Sequence, residues 1–331
     1  MELPKPYLLL TEKESLQIFR LLRWRGGLHC PCCESGSVKR NGHYKAYQRY
    51  LCKACERSFN DKTGTVFHYS HISLGVWFLV IYLAFVLEKS MRATAKEACL
   101  GYKVCYRMVR SVMERIHSSL EEHMLRGVVE ADEFYVTAGS KGRNSHMKLD
   151  RPPRIRGFKP PRGRGSYAKD EPMILNLYQR DGSLKLQVME DGGPSLKQLV
   201  CLNVEAGSTI YTDDYSPYTH LEEEGYNHEV VNHSQREYAR GDVHINHDEA
   251  IVSLFRPWLA KHRGVNKRNL QLYATTFQTL YDMRNLSNKD KFWNIVRICI
   301  SNNISQQERI RITLSSKKFL HSKGIISRCP S

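Results

Sequence analysis

Two pairs of cysteines place the strongest constraint on how the N-terminal part of this chain can fold. Cys30 and Cys33 are separated by two residues, as are Cys52 and Cys55, and eighteen residues lie between the two pairs. A tight turn can direct two sulfurs at one point, and two such turns complete a tetrahedron around a metal ion. This spacing therefore predicts a structural zinc site of the two-knuckle kind.

The expected zinc module spans residues 26–68 and follows a short lead at residues 1–25. Cys32 adjoins Cys33 and could take its place, although the two-residue spacer favours Cys33. A module this small has little apolar core, so bound Zn²⁺ should supply most of its stability. Thiols stay reduced in the cytoplasm, where paired cysteines indicate a metal rather than disulfides.

Charge is the next constraint, because 50 Lys and Arg residues oppose 34 Asp and Glu residues, a formal net charge of +16. Such a field attracts polyanions such as nucleic acid, although net charge alone never identifies a partner.

The longest apolar run, residues 75–87, is shorter than the ~20 residues that cross a bilayer. No signal-peptide pattern opens the chain. We therefore expect a cytoplasmic protein without membrane contact, associated with the nucleoid when bound to DNA.

Residues 70–122 are expected to be helical. Residues 72–87 are apolar on nearly every side, which predicts a buried helix. A further helical stretch breaks at Gly101, and the helix after it carries the basic residues Lys103, Arg107 and Arg110. Two helices around a glycine-containing turn, the second of them basic, fit a DNA-binding helix-turn-helix. An ordinary helical hairpin fits the same pattern.

A long basic stretch, residues 138–171, is rich in Lys, Arg, Gly and Pro. Its two proline pairs prevent regular structure, and a long loop inside a domain is uncommon unless it is functional or disordered. Contact with the DNA backbone is the favoured interpretation, and a merely solvated loop is the alternative. The arginines assigned to this contact are Arg154, Arg156, Arg162 and Arg164.

Three acidic residues occur in an order that indicates a metal-dependent active site. Asp132 lies near the centre of an expected strand, Asp213 at the end of a later strand, and Glu249 in the first turn of a helix. A twisted sheet can bring the two strands together, and the helix can place its carboxylate across them. Clustered carboxylates repel one another and are normally kept to bind hard cations such as Mg²⁺ or Mn²⁺. Two such ions can activate the attacking oxygen and stabilise the leaving oxygen in phosphodiester chemistry.

Neighbouring acids compete for these roles, and each acid alone also fits an ordinary structural position. Side chains alternate along a strand, so Glu130 shares the face of Asp132, whereas Glu133 points to the other face. The residues alone leave the choice open. The competing acids are Glu130, Glu133, Asp214 and Asp248.

Three stretches of the sequence resemble the DDE transposases of bacterial and archaeal insertion sequences that begin with a zinc ribbon. The first is the ribbon with its continuation Arg57-Ser-Phe-Asn-Asp-Lys-Thr-Gly-Thr-Val-Phe67, and the second is Val129-Glu-Ala-Asp132-Glu-Phe-Tyr. The third joins Tyr211-Thr-Asp213-Asp-Tyr-Ser-Pro-Tyr218 to Val243-His-x-Asn-x-x-Glu249 and continues through residues 254–270. The likeness covers roughly residues 25–285, and the 35 residues between Asp213 and Glu249 match a gap familiar from integrase-like cores.

The resemblance assigns roles to individual residues. It identifies Asp132, Asp213 and Glu249 as ligands of two catalytic Mg²⁺ or Mn²⁺ ions, and His244 and Asn246 as catalytic polar residues that precede the glutamate. It implies hydrolysis at the ends of a mobile element, after which the freed 3′ hydroxyl attacks a target phosphodiester. The implied partners are double-stranded DNA, as terminal inverted repeats and as target, and further copies of the chain in a dimer or larger assembly.

The expected architecture is a multidomain α/β chain. A helix-turn-helix-like segment at residues 70–122 follows the zinc ribbon, and a ribonuclease-H-like mixed sheet with flanking helices occupies residues 123–285. Residues 286–331 are expected to form a basic C-terminal tail. The rival interpretation is a non-catalytic zinc-ribbon DNA-binding regulator derived from an inactive transposase, and a nuclease without strand transfer is a third.

Overall fold

A computed structural model gives the fold of the chain as two compact units. One unit is formed by residues 1–121 and 285–331, and the other by residues 122–284. No helix of the described part is both long and apolar enough to cross a membrane. The structure describes residues 10–120, 124–139, 165–167, 170–180, 182–214, 216–218, 220–231 and 240–300.

The first unit begins with a capped helix and a small sheet. Helix α1 starts with a capping box, in which the Thr11 hydroxyl accepts from the N–H of Glu14 and the Glu14 carboxylate accepts from the N–H of Thr11. The antiparallel sheet that follows encloses Tyr50 and Phe59 as its buried rings. These elements are α1 (Glu12–Arg23), β1 (Val38–Tyr44), β2 (Tyr47–Cys52) and β3 (Ser58–Asn60).

Helices make up the rest of the first unit. Helix α2 (Leu74–Ile81) continues into a π-helical segment at Tyr82–Val86, and most side chains of both are buried, as the apolar run predicts. Helices α3 (Met91–Glu97) and α4 (Tyr102–Ser118) pack against each other on either side of Gly101. The pair fits both a helix-turn-helix and an ordinary hairpin.

One helix of this unit differs from the sequence expectation. Residues assigned to the start of a basic tail form α8 (Asn288–Ile300), which packs against α1, α2, α4 and the π-helical segment. The expectation considered only the charge of this region, whereas burial of its apolar side chains determines the fold. Those buried side chains are Phe292, Trp293, Ile295, Val296, Ile298, Cys299 and Ile300.

A five-stranded mixed sheet forms the centre of the second unit, in the order β6-β5-β4-β7-β8. The first three strands in the chain form an antiparallel meander, and β7 and β8 then add in parallel on the other side of β4. A mixed sheet is the arrangement that the sequence predicts. The strands are β4 (Val128–Tyr135), β5 (Met173–Gln179), β6 (Leu184–Val188), β7 (Thr209–Asp213) and β8 (Asn227–Val231).

Helices flank the sheet, as expected for this mixed α/β class. Helix α5 (Leu196–Asn203) packs on an apolar face that includes Val129 and Ala131 of β4. Helix α6 (Asn246–Ala260) covers the opposite face, where Phe255 meets Phe134 of β4 edge to face. Helix α7 (Leu270–Asp282) packs along the edge strand β6. Its side chains Gln271 and Gln278 form hydrogen bonds with the backbone of β6, which leaves fewer unpaired groups at that edge.

Candidate active site

Strand β4 presents two acidic side chains to the face of the sheet that α6 covers. Glu130 and Asp132 alternate with apolar residues that point into the cluster on the other face. Asp213 ends the parallel neighbour β7, and the ladder between the two strands pairs Glu130 with Tyr211. Continuing that register by two residues brings Asp213 beside Asp132. The first two acids that the sequence singled out therefore lie on adjacent parallel strands, two residues beyond the last pair of the ladder.

A buried tyrosine lies beside these acids and was not assigned a role from the sequence. Tyr218 is fully buried, and its hydroxyl donates to Glu133 Oε2 at 3.1 Å. Burial raises the pKa of Tyr218 well above its ordinary value, and the charges of Glu133, Asp132 and Asp213 raise it further. A tyrosine that stays protonated is a lasting hydrogen-bond donor among carboxylates. Its place at the end of the motif that begins at Tyr211 is the signal that could have identified it.

Glu130 anchors the N-terminus of α6 to the sheet. Its fully buried carboxylate accepts from the backbone N–H of His247 at 3.0 Å and lies 2.8 Å from His247 Nδ1. Arg180, just after β5, donates through Nε to Glu130 Oε1 at 2.9 Å and through Nη2 to the His244 carbonyl at 3.2 Å. Because the N-cap residue Ile245 offers no side-chain cap, this carboxylate supplies the acceptor and the negative charge that a helix N-terminus favours.

The anchor also brings together possible metal ligands. Glu130, His244 and His247 each place one ligand atom within 4.8 Å of the others. The guanidinium of Arg180 already donates to Glu130 Oε1, and its Nη2 lies 3.2 Å from His244 Nδ1. Since a cation here would meet that fixed positive charge at close range, we interpret the cluster as an ion-paired anchor for α6.

The first turn of α6 carries two acids in different surroundings. Asp248 is fully buried, whereas Glu249 is exposed. Neither carboxylate oxygen of Asp248 has a hydrogen-bond partner among the described residues. Burial raises the pKa of Asp248 well above its ordinary value, and the charges of Asp132 and Glu130 raise it further. Asp248, which the sequence treated as a competitor, therefore lies near enough to Asp132 for the two charges to interact.

The side-chain oxygens near Asp132 are suitable ligands for a hard cation. Asn176 lies opposite Asp132 in the β4–β5 ladder, is fully buried, and donates through Nδ2 to the Asp248 carbonyl at 3.3 Å. Its Oδ1 has no hydrogen-bond partner among the described residues, like both oxygens of Asp248. Oxygen atoms are the ligands that Mg²⁺ or Mn²⁺ prefers, and these buried oxygens receive no hydrogen bond that would compete with a cation.

The structure does not gather all of the predicted ligands at one point. Among the described residues, the carboxylates of Asp132, Asp213 and Glu249 do not form a group with ligand atoms within 4.8 Å of one another. His244 is half-buried beside Arg180, and Asn246 is exposed as the first residue of α6. The catalytic assignment of these five residues therefore stays a prediction.

The four paired cysteines do come together in the first unit. Their sulfurs all lie within 4.8 Å of one another, with 3.6 Å between Cys30 and Cys55 and between Cys33 and Cys52. Sulfurs bound to one tetrahedral zinc ion at ~2.3 Å lie ~3.8 Å apart, so the cluster fits zinc, and it is too open for disulfides. Hydrogen bonds, above all from the backbone N–H of Cys55, lower the pKa of Cys52 to about 7, whereas the neighbouring thiols raise the pKa values of Cys33 and Cys55, so Cys52 is the first of these three to become a thiolate.

Cys32 lies outside this cluster. Its sulfur is exposed and accepts from Arg57 Nη1 at 2.7 Å. Of the two adjacent cysteines between which the sequence left the choice open, Cys33 is the one whose sulfur lies in the cluster.

The residues predicted to bind DNA are described only in part. On α4, Lys103 and Arg107 are exposed, whereas Arg110 donates to Glu114 Oε1 at 2.7 Å one turn further along. The two exposed cations are thus better placed to meet a phosphate than Arg110. The four arginines predicted for the basic loop, Arg154, Arg156, Arg162 and Arg164, lie outside the described residues.

Comparison with known proteins adds sequence relatives of this chain. Residues 124–281 match the profile of the ISXO2-like transposase domain. An uncharacterized protein in the transposable element ISH50 of Halobacterium salinarum is 39% identical over 271 residues, which cover 81% of this chain and 90% of that protein.

Solved structures give a weaker likeness. The Mos1 transposase in a paired-end complex with the left transposon end is 12% identical over 65% of this chain and 77% of that chain, with a TM-score of 0.24. The Mos1 strand transfer complex aligns with the same TM-score and identity. At this level of similarity, the fold has to be argued from its own topology.

Proposed function

This chain belongs to the ISXO2-like family of DDE-type transposases, and from that premise we propose that it cleaves DNA at the ends of a mobile element and joins those ends to target DNA. The observation that carries the proposal is that Asp132 and Asp213 lie on the adjacent parallel strands β4 and β7, each two residues beyond the last pair of their ladder. A buried anchor holds an acid-bearing helix over the same face. Acids on a sheet and a crossing helix suit the binding of divalent ions for phosphodiester chemistry.

The second unit is proposed to be a ribonuclease-H-like core. An antiparallel meander followed by two parallel strands, in the order β6-β5-β4-β7-β8, supports this. The first acid then lies on the central strand β4 and the second on its parallel neighbour β7, which is the placement that the resemblance implies.

In this proposal Asp132, Asp213 and Glu249 hold two Mg²⁺ or Mn²⁺ ions. When bound, such ions activate the attacking oxygen and stabilise the leaving oxygen. The chain's own side chains orient the site. Glu130 and Arg180 fix the start of α6, and His244 and Asn246 lie at that start, beside the reacting groups.

The first unit is proposed to bind the element ends. A zinc ribbon on Cys30, Cys33, Cys52 and Cys55 would give the small sheet its rigidity, and α4 would present Lys103 and Arg107 to DNA phosphates. The basic loop would add contacts to the backbone of terminal or target DNA. Because two ends have to be held at once, we propose a dimer or a larger assembly on DNA.

Metal-dependent nicking separates this proposal from its rival. The protein should cleave an oligonucleotide that carries the element end in Mg²⁺ or Mn²⁺, and a pre-nicked end should be joined to a target duplex. End-specific binding without nicking in either metal would instead support a non-catalytic regulator. Nicking without joining would support a nuclease.

Substitution of Glu130 is expected to slow cleavage although Glu130 is not a proposed metal ligand. Glu130→Gln removes the charge that holds Arg180 and the N–H of His247, so α6 should lose its fixed position. Residues that orient metal ligands typically contribute about 10- to 100-fold in metal affinity or activity. From the sequence alone, we would expect Glu130→Gln to lower the cleavage rate much less than substitution of a proposed metal ligand does. The buried contacts of Glu130 raise the expected loss. The measurement is the cleavage rate as a function of Mn²⁺ concentration, which should shift to higher concentration.

The unpaired charge left on Arg180 could also destabilise the fold of this variant. The double substitution Glu130→Gln and Arg180→Gln removes that charge, and it should recover thermal stability without recovering the cleavage rate. A cleavage rate and metal dependence equal to wild type in Glu130→Gln would show that the anchor has no part in catalysis.

Helix α4 gives a graded prediction for DNA binding. Lys103→Ala combined with Arg107→Ala should lower the salt dependence of binding, because each lost phosphate contact reduces the slope by about one. Arg110→Ala is the matched control on the same helix, and it should change the slope less since Glu114 already pairs with this arginine. Titrations of binding affinity against salt concentration measure both. Equal slopes in wild type and the double variant would exclude α4 from the interface.

A further inference from the structure

A cleft in the first unit combines aromatic rings with basic side chains and has no role in the chemistry proposed above. It has a volume of about 510 Å³ and lies between the β1–β2 turn and the segment that precedes α2. This volume falls in the range of sites that hold a small molecule or a single nucleotide. We call it the tyrosine cleft, and the lining residues that matter here are Tyr44, Lys45, Lys62, His68, Tyr69 and His71.

Hydrogen bonds hold the walls of the tyrosine cleft in place. The Tyr47 hydroxyl donates to Glu12 Oε1 at 2.6 Å, and Lys62 Nζ donates to the Ser70 carbonyl at 2.7 Å. The indole Nε1 of Trp77 donates to Ser70 Oγ at 2.8 Å. A ligand would therefore meet walls that are already ordered, which lowers the entropy lost on binding.

Tyr69, at the rim of the cleft, has an unfavourable backbone conformation. Tyr69 is 87% exposed, and its φ of 54° lies in the left-handed region, which residues with a side chain seldom adopt. Its ring stacks on His68 with centroids 3.9 Å apart and planes 20° apart. Stacking on His68 orients the ring, and the high exposure leaves its other face accessible. A strained backbone at an exposed residue is a reason to test for a binding role.

The charges of the cleft suit an anion. Lys45, in the β1–β2 turn that lines the cleft, also has a positive φ of 53°, and Lys62 is a second lining cation. Glu12 is the acid among the lining residues, and its carboxylate accepts from Tyr47 and from the N–H of Gly75 at 3.3 Å. An aromatic face beside positive charge is the combination with which proteins bind single-stranded nucleic acid.

We propose that the tyrosine cleft binds an unpaired base of a DNA strand, stacked on the exposed face of Tyr69, with Lys45 near the adjoining phosphate. Bases inside a duplex are covered by their neighbours, so the cleft would take a base from a frayed end or a single-stranded tract. A staggered break of the two strands leaves such bases unpaired at a DNA end. The inference rests on the proposed function for DNA as the ligand, and it adds a site outside the catalytic unit.

The test compares a blunt duplex with the same duplex carrying an oligothymidylate tail, using the full-length protein with its zinc. Wild type should bind the tailed duplex more tightly. Tyr69→Gly should bind the tailed duplex about tenfold more weakly than wild type does, because base–aromatic stacking is lost, and should bind the blunt duplex equally well. Tyr69→Phe is the matched control, since it keeps the ring and should behave like wild type.

The Tyr69→Gly substitution tests DNA binding without lowering the stability of the fold. Since glycine adopts positive φ without strain, Tyr69→Gly should melt at the same temperature as wild type or higher. In a tail containing 2-aminopurine, fluorescence should fall on binding to wild type and to Tyr69→Phe but not to Tyr69→Gly. If Tyr69→Gly binds the tailed duplex as tightly as wild type, the cleft proposal is overturned while the proposed function stands. If wild type binds neither duplex, both are overturned.

Discussion

Asparagine in place of Asp132 or Asp213 is expected to lower cleavage and strand transfer at least ~100-fold, the loss expected when one preorganised electrostatic contact to the transition state is removed. Each substitution keeps the shape of the side chain and removes one negative charge, and with it a ligand for a divalent ion. DNA binding should stay intact or strengthen, since less negative charge faces the phosphates. Single-turnover cleavage of an element-end oligonucleotide measures the first step, and a pre-nicked end measures strand transfer separately.

Glu249→Gln should show a similar loss if the resemblance assigns the third ligand correctly. Combining it with Asp132→Asn should not multiply the effects, because one missing ligand already disables the unit. Asp214→Asn is the matched control, since Asp214 is exposed and follows Asp213 directly. Its activity should stay near that of wild type.

The outcome at α6 decides between two adjacent acids. If Glu249→Gln retains activity and Asp248→Asn loses it, the buried acid close to Asp132 is the third ligand. Full activity in both variants would leave α6 without a ligand, and full activity in Asp132→Asn and Asp213→Asn as well would remove the mechanism.

The ambiguity between these two acids shows why the sequence could not fix the site completely. Adjacent residues on a helix point about 100° apart, so a motif locates the turn but not which residue faces the sheet. In α6 the phase is set by Ile251 and Phe255, which are buried on the same side as Asp248. That packing depends on the partner strand, which the motif does not contain.

Elements with a strong local pattern could be predicted from the sequence. The two acid-bearing strands β4 and β7 and the apolar run of α2 were predicted in this way. Strand β8 was missed because only its last residue is fully buried, and its identity comes from pairing with β7. Helix α8 was missed because its apolar side chains pack on helices far earlier in the chain.

The site shows the same division between local and tertiary signals. The cysteine spacing and the acidic motifs are local, so they could be read from the sequence. Arg180 lies 50 residues from Glu130 in the chain, and nothing in its own neighbourhood predicts their contact at 2.9 Å. Glu130 itself was noted only as a competitor of Asp132, although its buried position makes it the anchor of α6.

Replacement of Cys52 by serine is expected to release the zinc ion, unfold the β1–β3 sheet and abolish end-specific DNA binding while the second unit stays folded. Cys52 is fully buried, and its sulfur lies 3.6 Å from that of Cys33. Serine would offer zinc a neutral hydroxyl in place of a thiolate. Because Tyr50 and Phe59 belong to only a small buried cluster, metal binding should supply most of the folding free energy of this sheet.

Metal analysis of the purified wild-type chain should find about one Zn²⁺ per chain, and Cys52→Ser should contain almost none. Cys32→Ser is the matched control, because Cys32 is exposed, adjoins a cluster cysteine and bonds to Arg57 instead of joining the cluster. It should keep both the zinc and the end-specific binding, which separates loss of the metal from loss of a thiol. Wild-type protein without zinc, or end-specific binding that survives in Cys52→Ser, would show that the four cysteines do not build the DNA-binding module through a metal.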